Sequence, residues 1–321
     1  MTDTTHHNDL KITLLYFAIP TLMLIFGYFL YPYPPNEQMQ QFVLIPLYIG
    51  LFALLGGFLT KKTAKTASIL NIIGWSFFSF FWSMQPAFLY LSEGGDVFNA
   101  AVCIIGVYIL MYLAYHEWHS LSSNTPRAPS LNWMAGGAAI AGLIYFTIES
   151  AIPALRDILI DSVATQTTVV LNLFGIPAQQ MGEYILYNGV TITIIFACTA
   201  IQSMVLFVGM LLPLPHTPLR RRLLTITATV VPIYLLNLIR NTSIIWLVGS
   251  GIADFNLAHN IIAKAGSLLA LIALLFITFR LTPQLYDEIL NLLNLRNHDG
   301  PVERTLRPLP VSYTHLRAHE T

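Results

Sequence analysis

Charged side chains are scarce in this sequence. Asp, Glu, Lys and Arg together make up 10% of the 321 residues, whereas a soluble domain carries roughly 25%. Hydrophobic residues make up 55%, and the mean hydropathy is +0.64. This composition excludes a soluble globular protein and predicts a polytopic membrane protein. The formal net charge is zero, and no nucleic-acid partner is predicted.

Cysteines are equally few. Cys103 and Cys198 are the two in the chain, and they lie in different apolar segments, so the sequence contains no disulfide framework. Neither a metal site nor a cofactor is predicted. A convincing internal repeat is also missing, which argues against a transporter built from two related halves.

Long hydrophobic runs, by contrast, are abundant. A spanning helix needs about 20 largely apolar residues. The predicted fold class is therefore an all-α polytopic membrane protein with about eight transmembrane helices. The segments are roughly 12–31, 42–59, 68–91, 97–115, 133–153, 198–214, 223–247 and 258–281.

The chain reads as one integral membrane domain over residues 1–300, and its second half, about 154–281, contains the candidate site residues. Residues 301–321 form a polar, Pro-rich tail. Its last part, 311–321, shows no continuity with the preceding sequence and resembles translated vector sequence, so it is interpreted as non-native.

Basic residues predict the orientation, because cytoplasmic loops carry an excess of Lys and Arg. The alternate loops hold Glu37, Glu93, Asp96 and Asp254 instead. Both termini are therefore expected in the cytoplasm of a multi-pass cell-membrane protein, with segment 154–197 on the external side. The basic loop residues are Lys61, Lys62, Lys65, Arg127, Arg220, Arg221, Arg222 and Arg280.

The external segment 154–197 carries two structural signals. Apolar residues recur largely at helical spacing up to Gly175-Ile176-Pro177, which predicts an amphipathic helix at the interface. Asn188-Gly189 then lies between two β-rich runs, the strongest short signal for a hairpin. A small external hairpin is thus predicted directly before Cys198 and the sixth helix.

Three polar groups in apolar segments fall at one predicted depth. At 1.5 Å per residue, Arg240 lies about 27 Å from Arg222, and His259 about 31 Å from Arg280. Cys198 lies about 24 Å from the end of its helix. Since the hydrocarbon core is about 30 Å thick, all three are expected near the external boundary.

Each residue also has an ordinary structural interpretation. A lone cysteine is usually an apolar filler, as expected for Cys103. Arg240 near a helix end can snorkel to headgroups, and His259 can cap an interfacial helix. However, Asn237 and Asn241 flank Arg240 at helical spacing, and such a polar face is unfavourable in lipid.

Together the three groups predict a thiol site. Desolvation raises the pKa of a thiol near lipid, and the thiolate is the nucleophile. A guanidinium favours the anion or a developing oxyanion, and an imidazole accepts and returns the proton. Cys198 is thus the candidate nucleophile, with Arg240 as the fixed charge and His259 as the proton acceptor.

Three stretches carry a resemblance to a known family. Residues 197–203 (Ala-Cys-Thr-Ala-Ile-Gln-Ser), 232–241 and 258–267 resemble the exosortase/archaeosortase family, and order and spacing fit its archaeosortase members best. The resemblance runs from about residue 163 to residue 273. One departure is Ala200, where the family often has Gly.

The resemblance implies a membrane-embedded cysteine transpeptidase. It would cleave the C-terminal sorting signal of exported proteins, such as S-layer glycoproteins, and join the new C-terminus to a membrane lipid. The signal is a short Pro-Gly-Phe-like motif, a hydrophobic helix and a basic tail. Cys198, Arg240 and His259 fall on the family's catalytic positions. The candidates for substrate binding are Asn237, Asn241, Gln202 and Lys264, although snorkelling is the favoured interpretation of Lys264.

Two other classes of function stay open. In the first, the protein is a non-enzymatic transporter or lipid-binding protein whose Arg240, His259 and Lys264 hold an anionic headgroup. In the second, less favoured, Ser250 of Gly249-Ser250-Gly251 serves a serine intramembrane protease. Loss of function in Cys198→Ala would separate the thiol enzyme from both.

Overall fold

The structure is a computed structural model that describes residues 2–60, 64–92 and 95–307. Lys61, Lys62 and Glu93, which contribute to the predicted charge asymmetry, lie outside the described residues, as does segment 311–321. The α-helices are Thr2–Leu30 (α1), Glu37–Phe42 (α2), Leu44–Leu59 (α3), Ala64–Ser83 (α4), Gln85–Leu91 (α5), Val97–Ser122 (α6), Pro129–Phe146 (α7), Pro153–Leu173 (α8), Ile201–Leu211 (α9), Leu219–Gly249 (α10), Lys264–Leu281 (α11), Pro283–Leu293 (α12) and Pro301–Leu306 (α13).

Shorter helical turns extend several of these elements. π-Helical segments cover Thr147–Ala151 and Asn256–Ala263, and 3₁₀ turns cover Phe196–Thr199 and Asn294–Asn297. The strands are Gln179–Met181 (β1), Tyr184–Tyr187 (β2) and Val190–Thr193 (β3). The fold is therefore an all-α polytopic membrane fold with one small sheet, as the sequence predicts.

Within the described residues, seven helices are long and apolar enough to cross a membrane, one fewer than the eight expected. The missing one is segment 198–214, which forms a 3₁₀ turn and the 11-residue α9. Such a helix is only about 17 Å long. The spans are His7–Leu30, Glu37–Leu59, Lys65–Leu91, Val97–Ser122, Pro129–Ala151, Leu219–Gly249 and Asn256–Leu281.

Proline and tertiary contacts end α9 early. Pro213 and Pro215 follow the helix and cannot donate a backbone hydrogen bond. Trp133 Nε1 of α7 donates to the Met210 carbonyl at 2.8 Å. Arg222 Nη1 donates to the Leu212 carbonyl at 2.6 Å. The last carbonyls of α9 are thus satisfied by side chains from other elements rather than by a longer helix.

α9 also packs unusually close to α7. A Cβ added to Gly209 would lie 2.7 Å from the Gly137 carbonyl oxygen. Only glycine permits this approach of two helix backbones, which is typical of helix pairs in membranes. α9 is therefore held against the preceding bundle although it is too short to span.

The N-terminal half forms the main apolar core. α3, α4, α6 and α7 bury large side chains there, including the fully buried Trp75, Leu51 and Leu131. The core also encloses an ion pair: Arg127 Nε donates to Glu117 Oε2 at 2.7 Å, and the Glu117 side chain is 0% exposed. Asn71 Nδ2 donates to the second carboxylate oxygen at 2.9 Å. Arg127, one of the basic residues used to predict the orientation, thus also forms a structural ion pair with Glu117.

The polar tail expected from residue 301 begins with an ordered helix, α13. Its Glu303 is buried, 3.2 Å from His116 Nε2, and accepts a hydrogen bond from Tyr112 Oη at 2.6 Å. Burial alone would raise the pKa of Glu303, but the contact with His116 and the hydrogen bond from Tyr112 outweigh burial and hold this pKa below its usual range. A charged carboxylate therefore fastens α13 to α6.

The predicted hairpin is confirmed, with one additional strand. β1, β2 and β3 form an antiparallel sheet in that order, and Tyr187 pairs with Val190 across the turn. Asn188 and Gly189 have φ of 53° and 82°, the two positive values that a type I′ turn requires.

The hairpin tip is anchored to the end of α10. Asn188 Nδ2 donates to the Gly249 carbonyl at 2.9 Å. A Cβ on Gly249 would collide with the Tyr187 ring, so this position needs glycine. The predicted amphipathic helix, α8, packs beside the sheet and buries Val163, Ala164 and Leu171 in the same cluster as Ile185 of β2. Sheet, α8 and α10 thus surround the turn that holds Cys198.

Candidate active site

The thiol residue Cys198 lies in a tight turn between β3 and α9. Cys198 N donates to the Ile195 carbonyl at 2.8 Å, and Thr199 Oγ1 donates to the Phe196 carbonyl at 2.7 Å. Ala200 then adopts φ 61°, in the left-handed region, and α9 begins at Ile201. The positive φ reverses the chain direction, so that the half-buried Cys198 precedes the helix rather than lying within it.

Two asparagines of α10 fix the backbone of Cys198. Asn237 Nδ2 donates to the Cys198 carbonyl at 2.7 Å, and Asn241 Nδ2 donates to the same oxygen at 3.0 Å. The two residues are one helical turn apart and both are buried, 8% and 3% exposed. They therefore hold the cysteine turn in place, and the substrate contact predicted for them stays a prediction.

Arg240 lies between these asparagines and is half-buried. Its Nη1 is 3.5 Å from Asn241 Oδ1, a weak hydrogen bond at most. Among the described residues, no carboxylate forms an ion pair with Arg240. Its guanidinium is therefore available for a negative charge from a bound ligand.

A cavity of about 260 Å³ adjoins this cluster between α9, α10 and the last spanning helix. Arg240 and Asn237 contribute to its lining from α10, and Ala200 and Ser203 contribute from the α9 side. Most other lining residues are apolar. One charged group thus lies in an apolar environment, where electrostatic interactions are stronger than in water.

His259 lies on the π-helical segment Asn256–Ala263. Its ring stacks on Phe255, with centroids 5.0 Å apart and planes at 8°. The neighbouring Ala258 lines the cavity, whereas His259 is not one of the residues that line it. The Cys198 turn and the His259 segment both contact α10, which carries Arg240.

The other two substrate-binding candidates lie at exposed positions, and their contact with substrate stays a prediction. Gln202 is exposed on the first turn of α9, and Lys264 is exposed at the first position of α11. Ser250, the alternative nucleophile, is the exposed residue that follows α10.

Sequence reasoning missed a polar link between α10 and α8. Tyr234 Oη donates to Gln166 Oε1 at 2.7 Å, and Gln166 Nε2 donates to Ser162 Oγ at 3.0 Å. Tyr234 lies within residues 232–241, one helical turn before Asn237. Its hydroxyl is therefore a further polar group on this helix, and this spacing is the signal in the sequence that could have indicated the link. The link joins α8 to the helix that positions Cys198.

Comparison with known proteins adds a family to this geometry. Residues 139–279 match the sequence model of the transmembrane exosortase family. A stretch of 204 residues is 23% identical to archaeosortase A of Haloferax volcanii and covers 52% of this chain and 67% of that protein. Both findings support an assignment to the exosortase/archaeosortase family. No solved structure gives a significant match. The exosortase match contains Cys198, Arg240 and His259, and extends from α7 to α11.

Proposed function

We propose that this protein is a cysteine transpeptidase that cleaves the C-terminal sorting signal of exported surface proteins. The signal would comprise a short, Pro-Gly-Phe-like motif, a hydrophobic helix and a basic tail, and the new C-terminus would pass to a membrane lipid. Similarity to the exosortase/archaeosortase family supports signal processing. The proposal places the site near the external membrane face, with both termini in the cytoplasm.

The observation that carries the proposal is the pair of amide hydrogen bonds to the Cys198 carbonyl. Asn237 and Asn241 hold the cysteine backbone, and Arg240 lies between them on the same helix. A structural filler needs no such anchoring, whereas a nucleophile must be held in an attack geometry.

In the first half of the proposed reaction, the Cys198 thiol transfers its proton to His259. The thiolate attacks the carbonyl carbon of the scissile peptide bond, and Arg240 stabilises the resulting oxyanion. The C–N bond then breaks, a thioester forms on Cys198, and the leaving amine takes the proton from His259.

In the second half, a hydroxyl or amine of the acceptor lipid attacks the thioester carbonyl. His259 accepts the proton of that nucleophile, and the C–S bond breaks. The new C-terminus is then joined to the lipid, and the proton returns to the Cys198 sulfur. No external oxidant or reductant is needed.

Replacing the nucleophile tests the proposal directly. Cys198→Ala is expected to abolish cleavage of a membrane-inserted substrate that carries a sorting signal, and Cys198→Ser to impair it severely. Cys103→Ala is the matched control, because Cys103 is a buried residue of α6 in the other half of the molecule. The measurement is the amount of cleaved substrate in membranes that contain equal amounts of each variant.

Wild-type cleavage by Cys198→Ala would rule out the thiol mechanism. The remaining candidate would then be a lipid-binding protein in which Arg240 holds an anionic headgroup.

A further inference from the structure

The last spanning helix, α11, is poorly covered by the rest of the protein. Of Lys264–Leu281, only Leu274 and Thr278 are buried. The cavity beside Arg240 lies along this helix, and its rim includes the exposed Leu236 and Ile239 of α10 and the exposed Ile262. The cavity is thus a crevice between α10 and α11 that is open towards the surrounding lipid.

Arg240 divides this crevice into two parts. The α10 lining runs from Ile233 to Leu247, about 21 Å at the helical rise, and Arg240 lies at its midpoint. Ala200 and Ser203 line the crevice, and the anchored Cys198 turn precedes them. A chain in the crevice can therefore pass the arginine at half depth, next to the cysteine turn.

Small side chains line the α11 side at and beyond the level of Arg240. They are Ala263, Gly266, Ser267 and Ala270. A Cβ built on Gly266 meets nothing within 4 Å, so the helix surface is open at this residue. Small residues let a second helix approach closely, whereas an acyl chain needs no such surface.

We propose that the crevice between α10 and α11 binds the hydrophobic helix of the sorting signal. The helix begins at the level of Arg240 and Gly266 and continues towards Leu274. The preceding residues, which contain the scissile bond, lie in the other part of the crevice, towards Leu247. This inference rests on the proposed function, because it assigns a place to the helix of that substrate.

The predicted orientation agrees with this arrangement. Leu247 lies near the end of α10 that is expected to face outside, and Leu274 lies deeper in the bilayer. An exported protein with a cytoplasmic basic tail crosses the membrane in the same sense, with the start of its helix outside. The Arg240 guanidinium would then lie beside the peptide group that is cleaved.

Filling the crevice is the first test. Gly266→Trp is expected to lower cleavage about ten- to hundredfold, because the indole occupies the volume of the substrate helix. The matched control is Gly106→Trp on α6, since a Cβ on Gly106 also meets nothing within 4 Å. In the Cys103→Ala background, the rate at which a small maleimide labels Cys198 reports whether the site stays intact, and this rate should not change.

Photocrosslinking is the second test, and it detects substrate binding independently of cleavage. A photoreactive benzoylphenylalanine replaces Gly266 in Cys198→Ala protein co-expressed with the substrate. We expect an adduct with the mass of enzyme plus uncleaved substrate, and none when the probe replaces Gly106.

The outcomes separate this inference from the proposed function. Wild-type cleavage by Gly266→Trp, or an adduct with lipid alone, would overturn the docking site while the result for Cys198→Ala still decides the chemistry. A substrate adduct together with full cleavage by Cys198→Ala would support the docking site and overturn the thiol mechanism.

Discussion

The two halves of this molecule each place an arginine among buried polar groups, but the arginines have opposite surroundings. In the N-terminal half, every guanidinium nitrogen of Arg127 donates a hydrogen bond. Glu117 accepts from two of these nitrogens, and Asn132 Oδ1 accepts from Nη1 at 3.0 Å. In the C-terminal half, Arg240 has one weak contact with an amide oxygen and borders a cavity. Arg127 thus stabilises the N-terminal half, whereas Arg240 is available to bind a ligand.

The packing of the two halves differs in the same way. α3, α4, α6 and α7 share one continuous apolar core. The C-terminal half contains the sheet, a left-handed residue at Ala200, the π-helical segment Asn256–Ala263 and the thinly covered α11. Irregular backbone and open surface are common features of functional sites. We therefore interpret the N-terminal half as the structural scaffold and the C-terminal half as the functional region.

The largest expected effect comes from exchanging each arginine for lysine. Arg240→Lys should lower cleavage about 10²- to 10³-fold, because the planar guanidinium that stabilises the oxyanion becomes a strongly hydrated point charge. Arg127→Lys should instead lower the melting temperature and leave cleavage per folded molecule near wild type. The measurements are substrate cleavage and thermal unfolding in detergent. Full activity in Arg240→Lys would reduce that residue to a snorkelling anchor.

The asparagine pair should show a non-additive effect. Asn237→Ala or Asn241→Ala leaves one amide on the Cys198 carbonyl and should lower cleavage by no more than about tenfold. The double variant leaves this carbonyl unsatisfied, which costs about 1–3 kcal/mol, and should lose more than the two single losses combined. A double-mutant cycle on cleavage measures the coupling. Simple additivity would show that the two amides act independently of each other rather than as joint donors to one carbonyl.

The hairpin provides a smaller effect with its own control. Gly189→Val places a β-branched residue at φ 82° in the turn that is anchored to α10, and should lower substrate processing severalfold, about 1 kcal/mol. Gly182→Val strains the β1–β2 turn, where φ is 62°, away from that anchor. It should lower stability but preserve processing. Equal processing by both variants would show that the turn anchored to α10 makes no specific contribution to substrate processing.

The smallest expected effect is at Ala200. Ala200→Gly removes the strain of a side chain at φ 61° but adds freedom to the unfolded chain, so the free energy of unfolding should change by no more than about 1 kcal/mol. Cleavage should stay within a few-fold of wild type or rise, because the methyl group beside the cysteine turn is lost. A large loss of cleavage would show that the methyl group itself positions the thiol.

The sequence by itself determined the membrane class, the approximate position of seven spans and the hairpin. These features follow from local signals: hydropathy over about 20 residues, and a turn pair that needs two positive φ values. The family resemblance also came from local stretches, because each of the three motifs lies within ten consecutive residues.

The tertiary structure alone decided the length of α9 and the hydrogen-bond partner of the two asparagines. Hydropathy predicts a span over 198–214, but the Met210 carbonyl accepts from Trp133, 77 residues earlier in the chain, and the Leu212 carbonyl accepts from Arg222 of the next helix. The same holds for the Cys198 carbonyl, whose partners lie 39 and 43 residues further along. Hydrogen bonds and cavities between distant elements depend on how these elements pack against each other. No local sequence pattern specifies which distant residues will meet.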